Sequence, residues 1–205
     1  MCDYMRKFAL LGQRAMAKGK LPLNDLAGSA GRMDVLVRGL MSALLTSHGL
    51  RENVEVILHL GGGPGPSRRI KFVGHEIKGM HADERSVAGL IAKVIREPHP
   101  PIGHWIERQY GVYDSGGTIH HTIDEWDNDL NIILDADGPT LWNNVPTKLN
   151  TDIEPSIGFI LGDDQPLPHL DIKNGISLSL GNDWLQGSAC ISICHFILDN
   201  KQEFI

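Results

Sequence analysis

The sequence predicts an α/β domain on a largely parallel sheet, and three observations predict it. Short apolar runs alternate with longer stretches whose apolar residues recur every three to four positions, the order that lays helices over parallel strands. The runs ending at Leu134, Leu161 and Ser179 each stop at a turn carrying Gly with Asp or Asn. The chain has 205 residues, 41% hydrophobic and 21% charged, enough to bury a core without disulfides or metal.

The elements follow in order. Lys7 to Leu11 is a short buried strand, and Gly12 to Ala30 a loop of small residues. Met33, Leu36, Val37, Leu40, Leu44 and Leu45 form a helical stripe reaching about Ser47, with Gly49 expected as the C-cap. Val54 to Leu60 is a strand broken by Gly61-Gly62-Gly63-Pro64-Gly65-Pro66, and Arg69 to Val73 is the next. Asp83 and Glu84 open a helix whose apolar face is Val87, Leu90, Ile91, Val94 and Ile95; their charge suits its positive end. Pro98, Pro100 and Pro101 close that segment. Residues 102–129 yield only a short helix, from about Ile119 to Trp126. Leu130–Leu134, Ile157–Leu161 and Ile176–Ser179 are buried strands. In Cys190–Asp199, Ile191, Cys194 and Leu198 have helical spacing while Ile191 and Ile193 alternate as in a strand; a helix is expected. Ligands of such sheets bind beyond the carboxyl ends of the strands, so the loops after Leu134, Leu161 and Ser179 are the candidate site.

Composition narrows the function classes. No stretch approaches the ~20 apolar residues of a membrane span, and Met1–Lys7 opens no signal peptide. Cys2, Cys190 and Cys194 have neither disulfide, CxxC nor zinc spacing, so a reducing cytoplasm and no metal are expected. The net charge of −6 argues against a general nucleic-acid coat. Yet residues 1–100 hold 15 Lys and Arg against 9 Asp and Glu, and residues 101–205 hold 4 against 16. One half can therefore face a polyanion, unless both merely present solvated faces.

Several motifs fall away. Gly61–Gly65 lacks a following Gly-Lys-Ser/Thr and leads to a strand, not to a helix N-terminus, so it is a turn and not a phosphate loop. His120, His121, Asp124 and Glu125 lack a matched third ligand and read as a solvated helix face. Gly162-Asp163-Asp164 reads as a strand-ending turn. The segment Leu21 to Leu36 is different: beside Gly28 and Gly31 stand Asp25 and Arg32, which neither packing nor turn chemistry requires.

Two sets of residues then carry a resemblance. Met5-Arg6-Lys7-Phe8, Leu23-Asn24-Asp25-Leu26-Ala27-Gly28-Ser29-Ala30-Gly31-Arg32-Met33-Asp34-Val35-Leu36, Ser47-His48-Gly49-Leu50-Arg51-Glu52-Asn53-Val54 and Asp83-Glu84-Arg85 form the first. Phe159-Ile160-Leu161-Gly162-Asp163, Ser177-Leu178-Ser179-Leu180-Gly181, Cys190-Ile191, His195 and Leu198-Asp199 form the second. In order and spacing the chain resembles the archaeal tRNA pseudouridine-54 N1-methyltransferases of the SPOUT superfamily, well over residues 5–97 and 155–200 and loosely over 98–150.

The resemblance implies one SPOUT-type domain over residues 5–200, with 1–4 a short extension and 98–129 a divergent linker and insertion. It implies a deep C-terminal trefoil knot, a homodimer, tRNA as substrate and S-adenosylmethionine as cofactor, held by backbone groups of three loops. By position these are Leu134; Leu161, Gly162 and Asp163; and Leu178, Ser179, Leu180 and Cys190. The residues it associates with activity are Asp25, Arg32 and Cys190. N1 of pseudouridine carries a proton that must leave near the time of attack; Asp25 can accept it or orient the base, and Arg32 can grip a phosphate or carbonyl through its fork. Each has a plainer reading: Asp25 as an N-cap or turn residue, Arg32 as a partner of Asp34 or of the other subunit, Cys190 as packing. Arg51, Arg68, Arg69 and Lys71 are candidates for the RNA backbone. The chain departs from the family at Ala27, where Pro is usual, and at Asp164, where His is usual. Two other functions compete: another SPOUT methylation, of a ribose 2′-oxygen or a ribosomal pseudouridine, or a non-catalytic RNA-binding assembly factor.

Overall fold

The computed structural model describes residues 5–127, 130–141, 156–170, 172 and 175–200. The extension at 1–4, with Cys2, lies outside them.

Eight strands form one sheet in the order β4-β5-β3-β2-β1-β7-β6-β8. β1 (Arg6–Met16) is central because its apolar residues are buried on both faces. It runs parallel to β2 (Val54–Gly62) and to β7 (Ile157–Gly162). β6 (Leu130–Leu134) lies parallel to β7 and to β8 (Gly175–Leu178). The other wing is antiparallel: β3 (Arg68–Val73) on β2, β5 (Val112–Gly116) on β3 and β4 (Ile106–Gln109) on β5. The largely parallel sheet thus holds for β2, β1, β7, β6 and β8. The glycine-proline connection after β2 is too short for a crossover, so β3 must return antiparallel. Polar β4 and β5, in the stretch 102–129, carry no apolar alternation that would announce them.

Each face of β1 has its own core. Phe8 and Leu10 join the main core under α1 (Met33–Leu44), α2 (Glu84–Arg96) and α4 (Gly187–Asp199). Ala9 and Leu11 join a smaller one with Trp126 and α3 (Ile119–Glu125). Each fully buried Leu, Ile or Val contributes roughly 1.5–3 kcal/mol. Asp83 caps α2 by accepting from Ser86 N at 2.7 Å. α1 stops at Leu44 with Leu45 already extended, so Gly49 is not its C-cap. Instead Gly49 closes a tight reversal in which Thr46 N donates to its carbonyl at 2.9 Å, bridging Leu45 to Leu50.

α4 is a helix, and its end is fastened to the start of β1. Arg6 Nη1 lies 2.6 Å from Asp199 Oδ1, and Arg51 Nη2 lies 3.0 Å from Asp199 Oδ2. His195 Nε2 donates to Ala43 O at 3.0 Å, which leaves Nδ1 to accept from Arg6 at 3.1 Å. Burial first, and the Arg51 and Arg6 cations next, push the His195 pKa down to about 4.

Candidate active site

The carboxyl ends of β6, β7 and β8 converge on one cleft of about 940 Å³. After β6 the chain turns at once: Gly138 N donates to Asp135 O and Asp137 N to the Asp135 carboxylate, both at 3.1 Å. After β7, Asp163 folds back on β1. Its amide donates to Leu11 O, and its carboxylate accepts from Gln13 N and Gln165 N, each at 2.9 Å. After β8, Ser179 accepts from Leu141 N at 2.8 Å and donates its amide to Pro139 O at 2.9 Å, tying the third loop to the first.

Of the residues the resemblance assigns to the cofactor, Leu134, Leu161, Gly162, Asp163, Leu180 and Cys190 line the cleft. Leu178 and Ser179 do not: Leu178 is buried in the main core and Ser179 holds the loop from behind. Strand alternation accounts for Leu178, whose neighbour Ser177 faces the cleft, while Ser179, just past the strand, is taken up by its backbone bonds to Leu141 and Pro139. Ser177 Oγ donates to Asp135 at 3.3 Å. Cys190 is half-buried, and loss of water raises its thiol pKa.

The fourth wall comes from the turn before α1. Gly31 has φ +69, and a Cβ there would lie 1.8 Å from Arg14 O, so only glycine lets the turn press against β1. Arg32 follows with φ 64, a left-handed conformation costing an arginine roughly 1–2 kcal/mol. Its guanidinium holds it there, with Nε to Asp34 at 3.0 Å and Nη1 to Asp164 at 2.9 Å. Those bonds raise the Arg32 pKa, that to Asp34 most. Asp164 also grips Arg14, whose bond is the largest cause of its lowered pKa. Burial works to raise the Asp34 pKa, but Arg32 and Arg38 outweigh it and hold it low. Arg38, 2.6 Å from Asp34, also lines the cleft and was legible as the i+4 partner.

Asp25 stands apart. It does not line the cleft, and its carboxylate accepts from Gly28 N and Ser29 N at 2.9 Å and from Ser29 Oγ. Those bonds, the hydroxyl's first, lower its pKa. Such a carboxylate shapes the turn that presents Arg32.

Of the basic candidates for the RNA backbone, Arg68 and Arg69 need correction. Arg68 and Arg69 are wholly internal, because neighbours on a strand point to opposite faces and both faces here are covered. Arg68 pairs with Asp114 at 2.5 Å and caps the end of α2 through Val94 O at 2.8 Å and Glu97 O at 3.2 Å. Arg69 reaches Glu125 at 2.9 Å and Thr122 Oγ1 at 3.0 Å. Lys71 lies over the rings of Trp105 and Tyr113, and Arg51 is held by Asp199. His121 accepts from Thr118 N at 3.1 Å, so that histidine caps α3. Among the described residues no three His, Cys, Asp or Glu side chains cluster as metal ligands.

The donor set fits S-adenosylmethionine. Leu134, Leu161 and Leu180 give apolar walls for an adenosine, while Asp135, Asp137, Asp163 and Asp183 supply negative charge against a sulfonium and an ammonium. At Gly162 a Cβ would approach Gln165 O to 3.0 Å, so the backbone there is packed close.

A parallel wing whose strand-end loops frame such a cleft defines an α/β ligand-binding class, with its site beyond the carboxyl ends of the strands. Comparison with known proteins narrows the class. The chain belongs to the family described as "Putative SAM-dependent RNA methyltransferase", which it matches over residues 5–203. It is 34% identical over 202 residues to the tRNA (pseudouridine(54)-N(1))-methyltransferase of Methanocella arvoryzae, covering 96% of this chain and 100% of that one. It is likewise 34% identical to the proteins of that name from Methanococcus aeolicus and Thermococcus gammatolerans, covering 97% and 96% of this chain and 99% and 98% of theirs. The crystal structure of Archaeoglobus fulgidus Nep1 bound to S-adenosylhomocysteine superposes with a TM-score of 0.62 at 12% identity, covering 98% of this chain and 99% of that one. That likeness bears on the fold, which is of the SPOUT type. The knot is expected in the C-terminal part, where residues 142–155, 171 and 173–174 lie outside the described residues.

Proposed function

We propose that this protein methylates N1 of pseudouridine 54 in tRNA, using S-adenosylmethionine. One observation carries the reading: four segments far apart in sequence, the Arg32 turn and the loops after β6, β7 and β8, line a single cleft. The names of its relatives supply the substrate.

When bound, S-adenosylmethionine supplies an electrophilic methyl group. Leu134, Leu161 and Leu180 exclude water around it, and the Gly162 backbone with Asp135 and Asp163 holds its polar groups. Arg32, fixed by Asp34, orients the acceptor base or its phosphate. Asp25 acts through Arg32 by holding the turn, and the N1 proton passes to solvent. Arg14 and Arg38 extend the RNA contact from the same rim. The protein works as a homodimer in the cytoplasm, and its C-terminal part is knotted. Exposed Ala189, Ser192 and Phe196 on one edge of α4 support the pairing, Phe196 being 55% exposed.

The test is methyl transfer from labelled S-adenosylmethionine to two T-arm RNAs that differ only in uridine or pseudouridine at the target. Label on the pseudouridine RNA alone is expected. Equal label on both places the methyl elsewhere, and label on neither removes the reading.

A further inference from the structure

Trp184 is exposed to 77%, the most of any large apolar side chain among the described residues. It lies in the loop between β8 and α4, on the lip of the cleft, next to Leu185 at 41%. An indole in water at that place is the anomaly, since a tryptophan ordinarily buries most of its surface.

The other described tryptophans are employed. Trp105 carries Arg69 and Lys71 at 4.6 and 4.5 Å from its ring centre and donates to Glu125 at 3.3 Å. Trp126 is 3% exposed and packs in the smaller core, with Lys7 5.7 Å from its ring. Trp184 has no hydrogen-bond, ring or cation partner among the described residues. Its loop is nonetheless anchored. Gln186 O accepts from Ala189 N at 2.9 Å and Cys190 N at 3.0 Å, and Leu185 O from Cys190 Sγ at 3.8 Å. The indole is therefore presented from a fixed base.

Arg32 and Arg38 belong to the same cleft lining. An open aromatic face and guanidinium groups around one cleft are the two elements that recognise a single nucleotide, a surface for its base and a cation for its phosphate. The cofactor's walls are the leucines and Cys190 of the floor. What Trp184 meets arrives from solvent.

We propose that Trp184 is the platform on which the unpaired target nucleobase of the substrate RNA stacks as it enters the cleft. The inference rests on the RNA-methyltransferase reading above and adds a specificity residue to it. Stacking demands no particular base, so Trp184 favours RNA whose target nucleotide is out of its helix over fully paired RNA.

The experiment compares wild type, Trp184→Ala and Trp184→Phe on a T-arm stem-loop with pseudouridine at the target and on the same RNA abasic there. Methyl transfer, RNA binding, cofactor binding by calorimetry and mass by light scattering are read for each. Trp184→Ala is expected to weaken binding of the intact RNA about tenfold, to bind the abasic RNA as wild type does and to leave cofactor affinity and mass unchanged. Trp184→Phe should stay within about threefold of wild type, because a smaller ring still stacks. Quenching of tryptophan emission on adding the intact RNA should be lost in Trp184→Phe.

Unchanged RNA affinity in Trp184→Ala overturns the proposal. So does a loss of cofactor affinity, which would make Trp184 a cover for the adenosine, or a change in mass, which would make it a subunit contact. A wild type that methylates the RNA while Trp184→Ala binds it equally well removes the inference and leaves the function. A wild type that leaves the intact RNA unmethylated removes both.

Discussion

Arg68 with Asp114 and Arg32 with Asp34 and Asp164 are built from the same chemical groups and do opposite work. The first pair has no exposed side-chain surface, and its guanidinium also satisfies carbonyls at the end of α2. The second is about a third exposed at Arg32 and Asp164 and faces the cleft. A buried pair cannot exchange its partner without stranding a charge; a wet pair can, since water compensates whatever leaves. The lesson is that ion pairing alone does not separate scaffold from site. Access of water does.

Breaking the buried pair has the largest expected effect. Arg68→Ala leaves the Asp114 carboxylate short of a partner in the interior and the α2 carbonyls uncapped, so unfolding free energy should fall by about 3–5 kcal/mol. Denaturant unfolding measures it, and a loss below 1 kcal/mol would mean that Arg108, 2.9 Å from Asp114, suffices alone.

The buried network at His195 comes next, through pH. Its pKa is about 4 in the folded chain against about 6.5 unfolded. Between those values the unfolded chain binds more protons, so stability is complete above pH 6.5 and falls as pH drops toward 4, by up to about 3 kcal/mol. His59, lowered to about 3 by burial and then by Arg69, adds to the same slope. His195→Gln should flatten it; a variant as steep as wild type refutes the assignment.

At the rim, effects move from stability to catalysis. Arg32→Ala should cut turnover about a hundredfold with the melting temperature little changed. Arg32→Lys should recover little of it, because a single ammonium cannot bridge Asp34 and Asp164. Asp25→Asn should lower turnover less while cofactor affinity persists, a loss that traces to the Arg32 turn. The smallest effect belongs to Asp164→Asn, which frees Arg14 and Arg32 for a phosphate. It should lower KM for RNA severalfold at low salt and lose that advantage at high salt. An unchanged or raised KM would mean that Asp164 positions Arg32 and does not compete with substrate.

What the sequence disclosed follows the same division. Strands and helices around the main core were legible because burial on one face writes a period into the residues, as in α1 and α2. The cleft loops were legible as glycine and aspartate stops after apolar runs. β4 and β5 were not, since an edge hairpin such as Ile-Glu-Arg-Gln followed by Val-Tyr-Asp-Ser-Gly has no continuous apolar face to display. Nor was the interior position of Arg68 and Arg69, because the carboxylates that permit it, Asp114 for Arg68 and Glu125 for Arg69, lie far down the chain. Asp25 drew attention for its charge, and its carboxylate is bonded to the amides three and four residues ahead. Trp184 was silent for a plainer reason: composition does not tell a wet tryptophan from a dry one.

The Arg6–Asp199 bond has a consequence for the growing chain. β1 is the centre of the sheet and is made first, but its register partner across from Arg6 is Ile157. At a synthesis rate of roughly 5–20 residues per second, the first strand waits on the order of ten seconds or more for the second of its two neighbours. During that interval β1 can pair with β2 and nothing else in the parallel wing. The cleft is therefore among the last of the described parts to form, and the helix that fastens Asp199 to Arg6 is the last described element to join it.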